Sequence, residues 1–292
     1  MSDIKIPASE LILNEDGSIY HLHLHPEQIA PTIITVGDQD RVAAISKYFD
    51  VIEHKVENRE FFTHTGRIGN TPITVLSTGI GTDNIDIVFN ELHALTAIDF
   101  NKLTYLKEPK SLDIIRLGTS GALIPAIPLD TVLLTEYAIG LEGLMNFYPY
   151  DKSEIELAME KNMLACLQAN FSFIKPYACK ASEKLINQFK EDMYLGITAT
   201  CQGFYHPQGR SISNDAHFNS ILADLKAWKT NEKVITNFEM ETAGILGLAR
   251  YFGFNACSIN LILANRANQT FSKNPALKMN ALIEQVLAKI TL

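Results

Sequence analysis

Short apolar runs alternate along this chain with stretches in which apolar residues recur every three or four positions. Residues 32–36 form the first clear apolar run, which predicts a buried strand, and the residues from Val42 onward repeat at helical spacing. The same succession of strand, turn and helix returns at residues 73–95 and 256–290. Because strands that alternate with helices form a sheet covered by helices, the pattern predicts an α/β fold.

Other segments carry the same two signals. Strands are predicted at residues 18–24, 58–67, 114–117, 131–135 and 194–200, and helices at residues 151–170, 182–189 and from Asn274-Pro275 to the C-terminus. No linker, repeat or low-complexity tract interrupts this order. We therefore expect a single domain over residues 1–292, with residues 1–17 as an N-terminal extension.

Composition and charge limit the classes of protein that this chain can represent. Apolar residues make up 47% and charged residues 20% of the chain, as in ordinary globular domains. The formal net charge of −8, without a run of lysine and arginine, argues against nucleic acid as a partner. The four cysteines lack metal-like spacing, and no uncharged run reaches the roughly 18 apolar residues of a membrane helix. Since no signal-peptide pattern opens the sequence, we expect a cytoplasmic protein without a membrane partner.

Two predicted strand ends carry residues suited to a small anion. The strand with Arg116 leads into Gly118-Thr119-Ser120-Gly121, where we expect a glycine-bounded turn that presents hydrogen-bond donors. After residues 32–36, Gly37-Asp38 breaks the strand, and Arg41 falls in the first turn of the next helix. A cation there opposes the helix dipole, which indicates a bound anion, although a solvated surface arginine would also fit if it stood alone. Together the two segments predict a phosphate site.

Two glycine patterns point to other chemistry but are incomplete. Thr78-Gly79-Ile80-Gly81 resembles the start of a dinucleotide-binding fingerprint, yet Asn84 stands where the third glycine should be. The stretch from Gly118 to Gly121 departs by one residue from the G-x-S-x-G motif of serine hydrolases. No Walker A sequence is present, so a free phosphate ion is favoured over a nucleoside triphosphate.

Three histidines near the N-terminus raise the question of a metal site. His21, His23 and His25 would lie on one face of a regular strand. No partner set elsewhere completes such a site, so we favour a surface strand of mixed polarity.

Two later segments carry groups that recognise bases and sugars. Residues 204–210 combine Phe204, a stacking face, with Gln208, which donates and accepts, and Arg210, which only donates. That combination suits the amide-like edge of a nucleobase. Glu239 and Glu241, at the start of a predicted helix, either complement the helix dipole or bind the two hydroxyls of a diol.

These residues match a known family. The chain resembles the nucleoside phosphorylases of the uridine and purine type, and among them the uridine phosphorylases most closely. The resemblance runs from about Tyr20 to Arg266 and rests on motifs in the family's order: Gly37-Asp-Gln-Asp-Arg41, Arg59-Glu60-Phe61, Ser77-Thr-Gly-Ile-Gly81, Arg116-Leu-Gly-Thr-Ser-Gly121, Phe204 to Arg210 and Phe238-Glu-Met-Glu241. It implies a three-layer α/β/α fold with a mixed, partly barrel-like central sheet. It also implies a pentosyltransferase that splits uridine with phosphate into uracil and ribose 1-phosphate, with inversion at C1′.

The resemblance assigns a role to each matching residue. Phosphate would be bound by Gly37, Arg41, Arg116 and Thr119, together with Arg59 from a neighbouring subunit. Ribose would be bound by Glu239, Met240 and Glu241, together with His21 across the interface, and uracil by Phe204, Gln208 and Arg210. Arg41, Arg116, Arg210 and Glu241 would carry the catalysis.

The same resemblance bears on ligands and assembly. It implies no cofactor beyond inorganic phosphate as co-substrate, and Glu60 with the Ile80 carbonyl would correspond to a K+ site between subunits. Residues lent across an interface imply a homo-oligomer, and the family suggests a hexamer built as a trimer of dimers. The chain departs from the family pattern at Gln39, at Asn84 and at His206-Pro207.

Other functions stay open from the sequence alone. Purine-specific relatives carry an aspartate near Asn265-Arg266, where this chain has no acid, and this difference favours a pyrimidine. A nucleosidase of the same fold would cleave without phosphate, against which Arg41 and Arg116 argue. A non-catalytic nucleoside-binding protein would bind the same ligand without turnover.

Overall fold

The computed structural model describes residues 5–167, 170–213 and 220–292. Within these ranges the strands are β1 Thr32–Val36, β2 Val51–Asn58, β3 Phe61–Ile68, β4 Thr71–Ser77, β5 Ile98–Asp99, β6 Thr104–Tyr105, β7 Asp113–Ala122, β8 Val132–Gly140, β9 Tyr177–Lys180, β10 Tyr194–Thr200, β11 Lys229–Thr230, β12 Lys233–Val234, β13 Asn237–Glu239, β14 Asn255–Asn265 and β15 Thr270–Phe271. The α-helices are α1 Gln39–Ser46, α2 Thr82–Ala97, α3 Glu154–Leu167, α4 Glu183–Phe189, α5 Leu222–Ala227, α6 Thr242–Phe252 and α7 Pro275–Thr291.

Among the described residues, eleven strands form one mixed sheet, and part of that sheet closes on itself. Strand β14 pairs with β8, β8 with β10, β10 with β13, β13 with β7, and β7 pairs back with β14. From β7 the sheet continues outward through β1, β4, β3 and β2. The β7–β14 pair is parallel, whereas β7–β13 is antiparallel. The expected mixed, partly barrel-like sheet is therefore confirmed.

Apolar cores lie on both sides of the sheet. In β8, Tyr137 and Ile139 pack in one core with residues of α3 and α5, whereas Ala138 packs in the larger core with residues of α1, α2, α6 and α7. Successive side chains of a strand point to opposite faces, so helices cover both faces of this strand. This arrangement confirms the predicted three-layer α/β/α fold class.

The prediction of a strand at residues 18–24 is wrong. This segment forms turns, with one isolated bridge from Leu13 to Ile19 and a positive φ of 56° at His23. The Glu91 carboxylate of α2 accepts the backbone N–H groups of His21 and Leu22, and so takes the place of a strand partner. The three histidines therefore do not share one face of a strand.

The turn predicted at residues 118–121 is also wrong. Strand β7 continues through this segment to Ala122, because β14 pairs with it from Asp113 to its end. The strand predicted at residues 58–67 is instead the end of β2 and most of β3, joined by a tight turn in which Arg59 has a φ of 55°.

Several other predicted elements are confirmed within one to three residues of their expected bounds. Strands β1 and β10 match residues 32–36 and 194–200, and α4 and α7 appear where helices were expected. The helix predicted at residues 151–170 is α3, whose start is capped by reciprocal hydrogen bonds between Ser153 and Glu156. Residues 168 and 169 of that prediction lie outside the described residues.

The domain organisation stays a prediction. A single domain with residues 1–17 as an extension is expected from the sequence, and residues 1–4 lie outside the described part of the chain. Among the described helices, none has both the length and the apolar character that a membrane crossing needs.

Candidate active site

Arg116 lies at the centre of the candidate site and is buried, with 6% of its surface exposed. It belongs to β7, where its backbone pairs with Thr35 of β1 and Ser258 of β14. Its Nη2 donates a short hydrogen bond to Glu241 and lies 3.4 Å from Glu239 Oε2. These acids lie at the end of β13 and the start of α6, so closure of the barrel brings the three charges together.

The opposite charges of this cluster stabilise one another and so offset the free-energy cost of burying them. Burial alone would lower the pKa of Arg116, but the carboxylates of Glu241 and Glu239 outweigh it and raise that pKa. Burial raises the pKa of Glu239, an effect that Arg116 opposes and Glu241 strengthens. Removing one partner of a buried ion pair costs about 3–5 kcal/mol, because the other charge stays buried without compensation. The three side chains therefore form one unit.

Gly118 makes room for the Arg116 side chain. A Cβ atom at position 118 would overlap Arg116 Nη1 and lie 2.7 Å from Asn260 Oδ1. No side chain larger than hydrogen fits unless the guanidinium moves. This glycine, which suggested a turn in the sequence, is explained by the close approach of the arginine to its own strand.

Arg41 faces the same strand from α1. Its Nη1 donates to the Leu117 carbonyl at 3.2 Å, and no ion pair neutralises its charge within the described residues. Burial, and then repulsion by Arg116, lower the pKa of Arg41. Gly37 lies directly before this helix, close enough to the second glycine loop that a Cβ on it would touch the Gly79 carbonyl at 3.4 Å. Two neighbouring guanidinium groups, of which Arg41 has no ion-pair partner among the described residues, suit a small anion.

Glu239 and Glu241 accept hydrogen bonds from different groups of the protein. Glu239 accepts the backbone N–H groups of Glu241 and Thr242 and the Thr200 hydroxyl at 2.7–3.0 Å, so it satisfies the donors at the start of α6. Glu241 accepts from Arg116 and from the Gly81 N–H at 2.8 Å. Only Glu241 therefore combines a buried carboxylate with partners that a ligand could replace.

The expected base-recognition residues form one compact loop. The Arg210 guanidinium carbon lies 3.9 Å from the centre of the Phe204 ring, and Arg210 Nη1 donates to Gln208 Oε1 at 2.7 Å. Gln208 is buried, and its Nε2 makes no hydrogen bond to any described residue. Burial, followed by repulsion from Arg266, lowers the pKa of Arg210 to about 10, so it stays charged at neutral pH.

Arg266, which directly follows β14, contacts this loop, and the sequence patterns did not single it out for binding. It donates to the carbonyl groups of Gln208 and Gly209 at 3.2 and 3.1 Å. The Phe238 ring lies 5.6 Å from the Arg210 guanidinium carbon and 5.8 Å from that of Arg266. Because Phe238 directly precedes Glu239, it joins the base loop to the acidic cluster. The only sequence signal for Arg266 is a cation directly after a long apolar strand.

The departure at His206-Pro207 is accommodated by a single 3₁₀ turn, His206–Gln208. The turn ends at Gly209, which adopts a left-handed φ of 65°. The departure at Gln39 places an amide at the start of α1, and its Nε2 donates to the Arg59 carbonyl at 2.9 Å. Both replacements therefore leave the spacing of the site arginines intact.

The two residues expected to act in a neighbouring subunit have their own contacts in this chain. Arg59 is exposed, with its guanidinium carbon 5.4 Å from the centre of the Tyr20 ring. His21 Nδ1 lies 2.7 Å from Glu91 Oε1. Neither side chain makes a hydrogen bond or ion pair with Arg41 or Arg116. Their roles stay predictions.

The remaining expected residues also stay predictions. The Thr119 hydroxyl makes no hydrogen bond within the described residues, and Met240 is partly exposed between the two glutamates. Glu60 lies beside the glycine loop that carries Ile80, and Asn84 Nδ2 lies 3.5 Å from the Ile80 carbonyl. The described residues contain no group of three or more His, Cys, Asp or Glu side chains that could hold a metal ion.

Glu142 is a further acid near the cluster that no motif predicted. It follows the end of β8, where it accepts a short hydrogen bond from the Tyr177 hydroxyl and another from the Leu144 N–H at 3.0 Å. Burial raises the pKa of Glu142 to about 7; these two hydrogen bonds oppose the shift, and the charge of Glu239 adds to it. Its carboxyl group therefore changes charge near neutral pH.

This shift predicts a measurable dependence of stability on pH. When folding raises the pKa of a carboxyl group, that group does not lower the free energy of unfolding at a pH below its unfolded pKa. The free energy of unfolding then falls as the pH rises towards and through the pKa of the folded state. Between pH 5 and pH 8 we expect the free energy of unfolding of the parent protein to fall by about 2–3 kcal/mol more than that of Glu142→Gln. Urea unfolding at a series of pH values measures the difference.

The control for this experiment is Glu108→Gln, which removes an exposed carboxylate. Its pH profile should follow that of the parent protein. If Glu142→Gln also follows the parent profile, the carboxyl group of Glu142 does not titrate as described.

Comparisons with known proteins place this geometry in a family. The family model described as the phosphorylase superfamily matches residues 31–291. A uridine phosphorylase from Thermococcus kodakarensis is 31% identical, over 92% of this chain and 85% of that protein. A uridine phosphorylase from Haemophilus influenzae is 27% identical, over 90% of this chain and 92% of its own length.

A solved structure shares the fold over nearly the whole chain. It is the crystal structure of a nucleoside phosphorylase from Trypanosoma brucei, described as showing uridine phosphorylase activity. The two chains superpose with a TM-score of 0.85 at 27% identity, over 96% of this chain and 99% of the other. A family match over most of the chain and a similar fold agree, and the structure adds a pair of arginines beside a buried carboxylate. The chain therefore belongs to the phosphorylase superfamily, and within it to the nucleoside phosphorylases.

Proposed function

We propose that this chain catalyses the phosphorolysis of uridine to uracil and ribose 1-phosphate, with inversion at C1′. One observation carries the proposal: Arg116 lies close enough to Arg41 for the two charges to repel, and it donates a hydrogen bond to the buried carboxylate of Glu241. An enzyme that joins phosphate to a sugar needs these two sites side by side. The activity of the relatives supports the same reaction.

Phosphate binds between the β1–α1 loop and β7. Arg41 and Arg116 supply the positive charge, the Gly37 amide lies at the start of the pocket, and the Thr119 hydroxyl makes no hydrogen bond to any described residue. The Arg116 guanidinium is already desolvated and oriented, so little reorganisation is needed when the dianion enters. Inorganic phosphate is the co-substrate.

Ribose binds against the start of α6. Glu241 accepts hydrogen bonds from the 2′- and 3′-hydroxyls in place of the Gly81 amide and part of its contact with Arg116. Met240 packs on the sugar, while Glu239 holds the helix start and the arginine in position. The buried carboxylate cannot accept hydrogen bonds from water, and each hydroxyl of a diol offers it a donor instead.

Uracil binds in the loop of residues 204–210. The Nε2 of Gln208, which has no hydrogen-bond partner in the described part of the chain, and the donors of Arg210 face the carbonyl edge of the base. The half-exposed ring of Phe204 lies against the base. Asn265 and Arg266 place no acid beside the base, so a leaving purine would lack a proton donor. Leaving uracil instead delocalises negative charge onto carbonyl oxygens, which Arg210 stabilises.

The chemistry requires no covalent enzyme intermediate. Phosphate attacks C1′ from one face while uracil leaves from the other, through a sugar cation like that in glycoside hydrolysis. Holding phosphate and nucleoside in contact removes much of the entropic barrier. The negative phosphate, positioned by the two arginines, stabilises the developing positive charge of the ribose.

Assembly belongs to the same proposal. The enzyme is a homo-oligomer in which Arg59 and His21 complete the phosphate and ribose sites of a neighbouring subunit. A hexamer built from dimers, with K+ bound by Glu60 and the Ile80 carbonyl at an interface, fits the resemblance in motifs. The exposed Arg59 side chain, which makes no hydrogen bond or ion pair with Arg41 or Arg116, supports action in trans.

A substrate panel tests the reaction. Uridine, thymidine, deoxyuridine and inosine are incubated with the purified chain, each with and without phosphate, and the released base is measured by chromatography. We expect uracil from uridine only when phosphate is present. Release of base without phosphate would indicate a nucleosidase, preferred cleavage of inosine a purine enzyme, and binding without turnover a non-catalytic protein.

The close fit of Arg116 over Gly118 predicts the effect of Gly118→Ala. The added methyl group displaces the guanidinium, so the variant should lose stabilisation by inorganic phosphate. For the parent protein, phosphate at about 100 times its dissociation constant should stabilise by about 2.7 kcal/mol. Thermal unfolding at increasing phosphate concentration, at constant ionic strength, measures this effect.

Gly121→Ala is the matched control, because a Cβ there would meet its nearest neighbour, Phe238, at an ordinary 3.6 Å. This variant should keep the phosphate-dependent rise in melting temperature. An equal rise in Gly118→Ala would mean that Arg116 does not hold the anion.

Arg210→Ala should reduce mainly turnover. Loss of a donor to the charge that develops on uracil should lower kcat about 10²–10³-fold, which corresponds to a barrier higher by about 2.7–4 kcal/mol, by analogy with removal of an oxyanion donor. Steady-state kinetics with uridine measures kcat, and the KM for phosphate should change little. Arg67→Ala, at an exposed arginine far from the site, is the control. Parent-like turnover in Arg210→Ala would refute the assignment of the base site.

A further inference from the structure

Asn260 lies within β14 and is fully buried. Its Oδ1 accepts a hydrogen bond from Arg116 Nη1 at 3.3 Å, and its Nδ2 donates to Ser258 Oγ at 3.0 Å. Ser258 Oγ in turn lies 2.8 Å from Thr242 Oγ1, in the first turn of α6. A chain of buried polar groups therefore runs from the arginine to the helix that begins after Glu241.

The register of the sheet explains why this contact forms. In the parallel β7–β14 pair, Asn260 is the partner of Gly118, and Ser258 is the partner of Arg116. Because Gly118 has no side chain, the arginine folds over its own strand and reaches the amide opposite. Asn260 stands among apolar neighbours in a strand, where an amide without partners would cost free energy.

The orientation of the amide is set by its second hydrogen bond. Since Nδ2 donates to Ser258, the oxygen faces Arg116 and can accept from the guanidinium. The acceptor is neutral, unlike Glu239 and Glu241 on the other side of the arginine. It can therefore fix the direction of the guanidinium without neutralising its charge.

We propose that Asn260 is a positioning residue for phosphate binding, an inference that rests on the proposed phosphorolysis. When phosphate and ribose enter, Arg116 exchanges part of its contact with Glu241 for the dianion, and the amide of Asn260 keeps Nη1 in place during this exchange. Without it, the two carboxylates draw the guanidinium away from the phosphate pocket. A third carboxylate at this position would compete with phosphate directly.

Two substitutions separate these effects. Asn260→Ala removes the anchor, and the KM for phosphate should rise about tenfold, as expected for loss of a hydrogen bond to a charged group, with the KM for uridine within about twofold of the parent. Asn260→Asp has the same shape but adds a negative charge beside Arg116, so the KM for phosphate should rise further. Both constants are measured from initial rates at varied phosphate and varied uridine.

Asn255→Ala is the matched control for general damage to β14. Asn255 is the first residue of β14, and its amide forms hydrogen bonds with Asp113 and Ser182 and not with Arg116. This variant should keep both KM values. The proposal would be overturned if the two KM values of the Asn260 variants rose equally, or if their KM for phosphate did not rise. The same change in Asn255→Ala would also overturn it.

Calorimetric titration with inorganic phosphate alone keeps the two proposals distinguishable. If the parent protein binds phosphate but does not cleave uridine, the proposed reaction fails, while weaker phosphate binding by Asn260→Ala still supports the anchor. If Asn260→Ala does not fold, Asn260→Asp supplies the same test. Phosphate binding by that variant as tight as by the parent would refute the role of Asn260.

Discussion

A buried arginine held by two buried carboxylates is the interaction on which the rest of the site depends. None of these charges could stay buried alone, and their mutual compensation fixes the end of β13, the start of α6 and the middle of β7 relative to one another. Nearby features serve this arrangement: Gly118 leaves the space, Glu239 satisfies the first amides of the helix, and Asn260 holds the remaining side of the guanidinium. Because Arg116 also lies beside Arg41, one side chain is shared by the proposed phosphate and ribose sites.

Closure of the barrel makes this sharing possible. Strand β7 is parallel to β14 and antiparallel to β13, so the chain brings Arg116 and Glu241 together although 125 positions separate them. The base loop is attached to the same frame through Phe238, which precedes the first of the two acids, and through Arg266 at the end of β14. Strands of one barrel would thus position phosphate, sugar and base. The hydrogen-bond register of the barrel would set the distances between them. Such fixed placement suits a reaction whose main requirement is to hold two reactants in contact.

The sequence predicted the α/β class, because that class depends on local patterns such as the apolar runs of β1 and β10. Side-chain chemistry also singled out the loop around Gln208 and Arg210 as a candidate base site, and that assignment stays a prediction. Contacts between distant segments could not be predicted in this way. Gly118 suggested a turn because glycine is common in turns, but here it admits a side chain from its own strand. Residues 18–24 suggested a strand because their polar and apolar positions alternate. The prediction failed because Glu91 binds their amides, and this contact depends on tertiary packing. Asn260, Glu142 and Arg266 carry no motif, and their roles follow from what the fold places opposite them.

The central claim is that the anion held by Arg116 attacks the sugar of the nucleoside. Phosphorus NMR of a mixture of the chain, uridine and inorganic phosphate tests it most directly, with the released uracil measured in parallel. The account predicts a new sugar-phosphate signal that grows one-for-one with uracil and has the configuration expected for inversion at C1′. Uracil released with free ribose, while the inorganic phosphate signal stays constant, would contradict it.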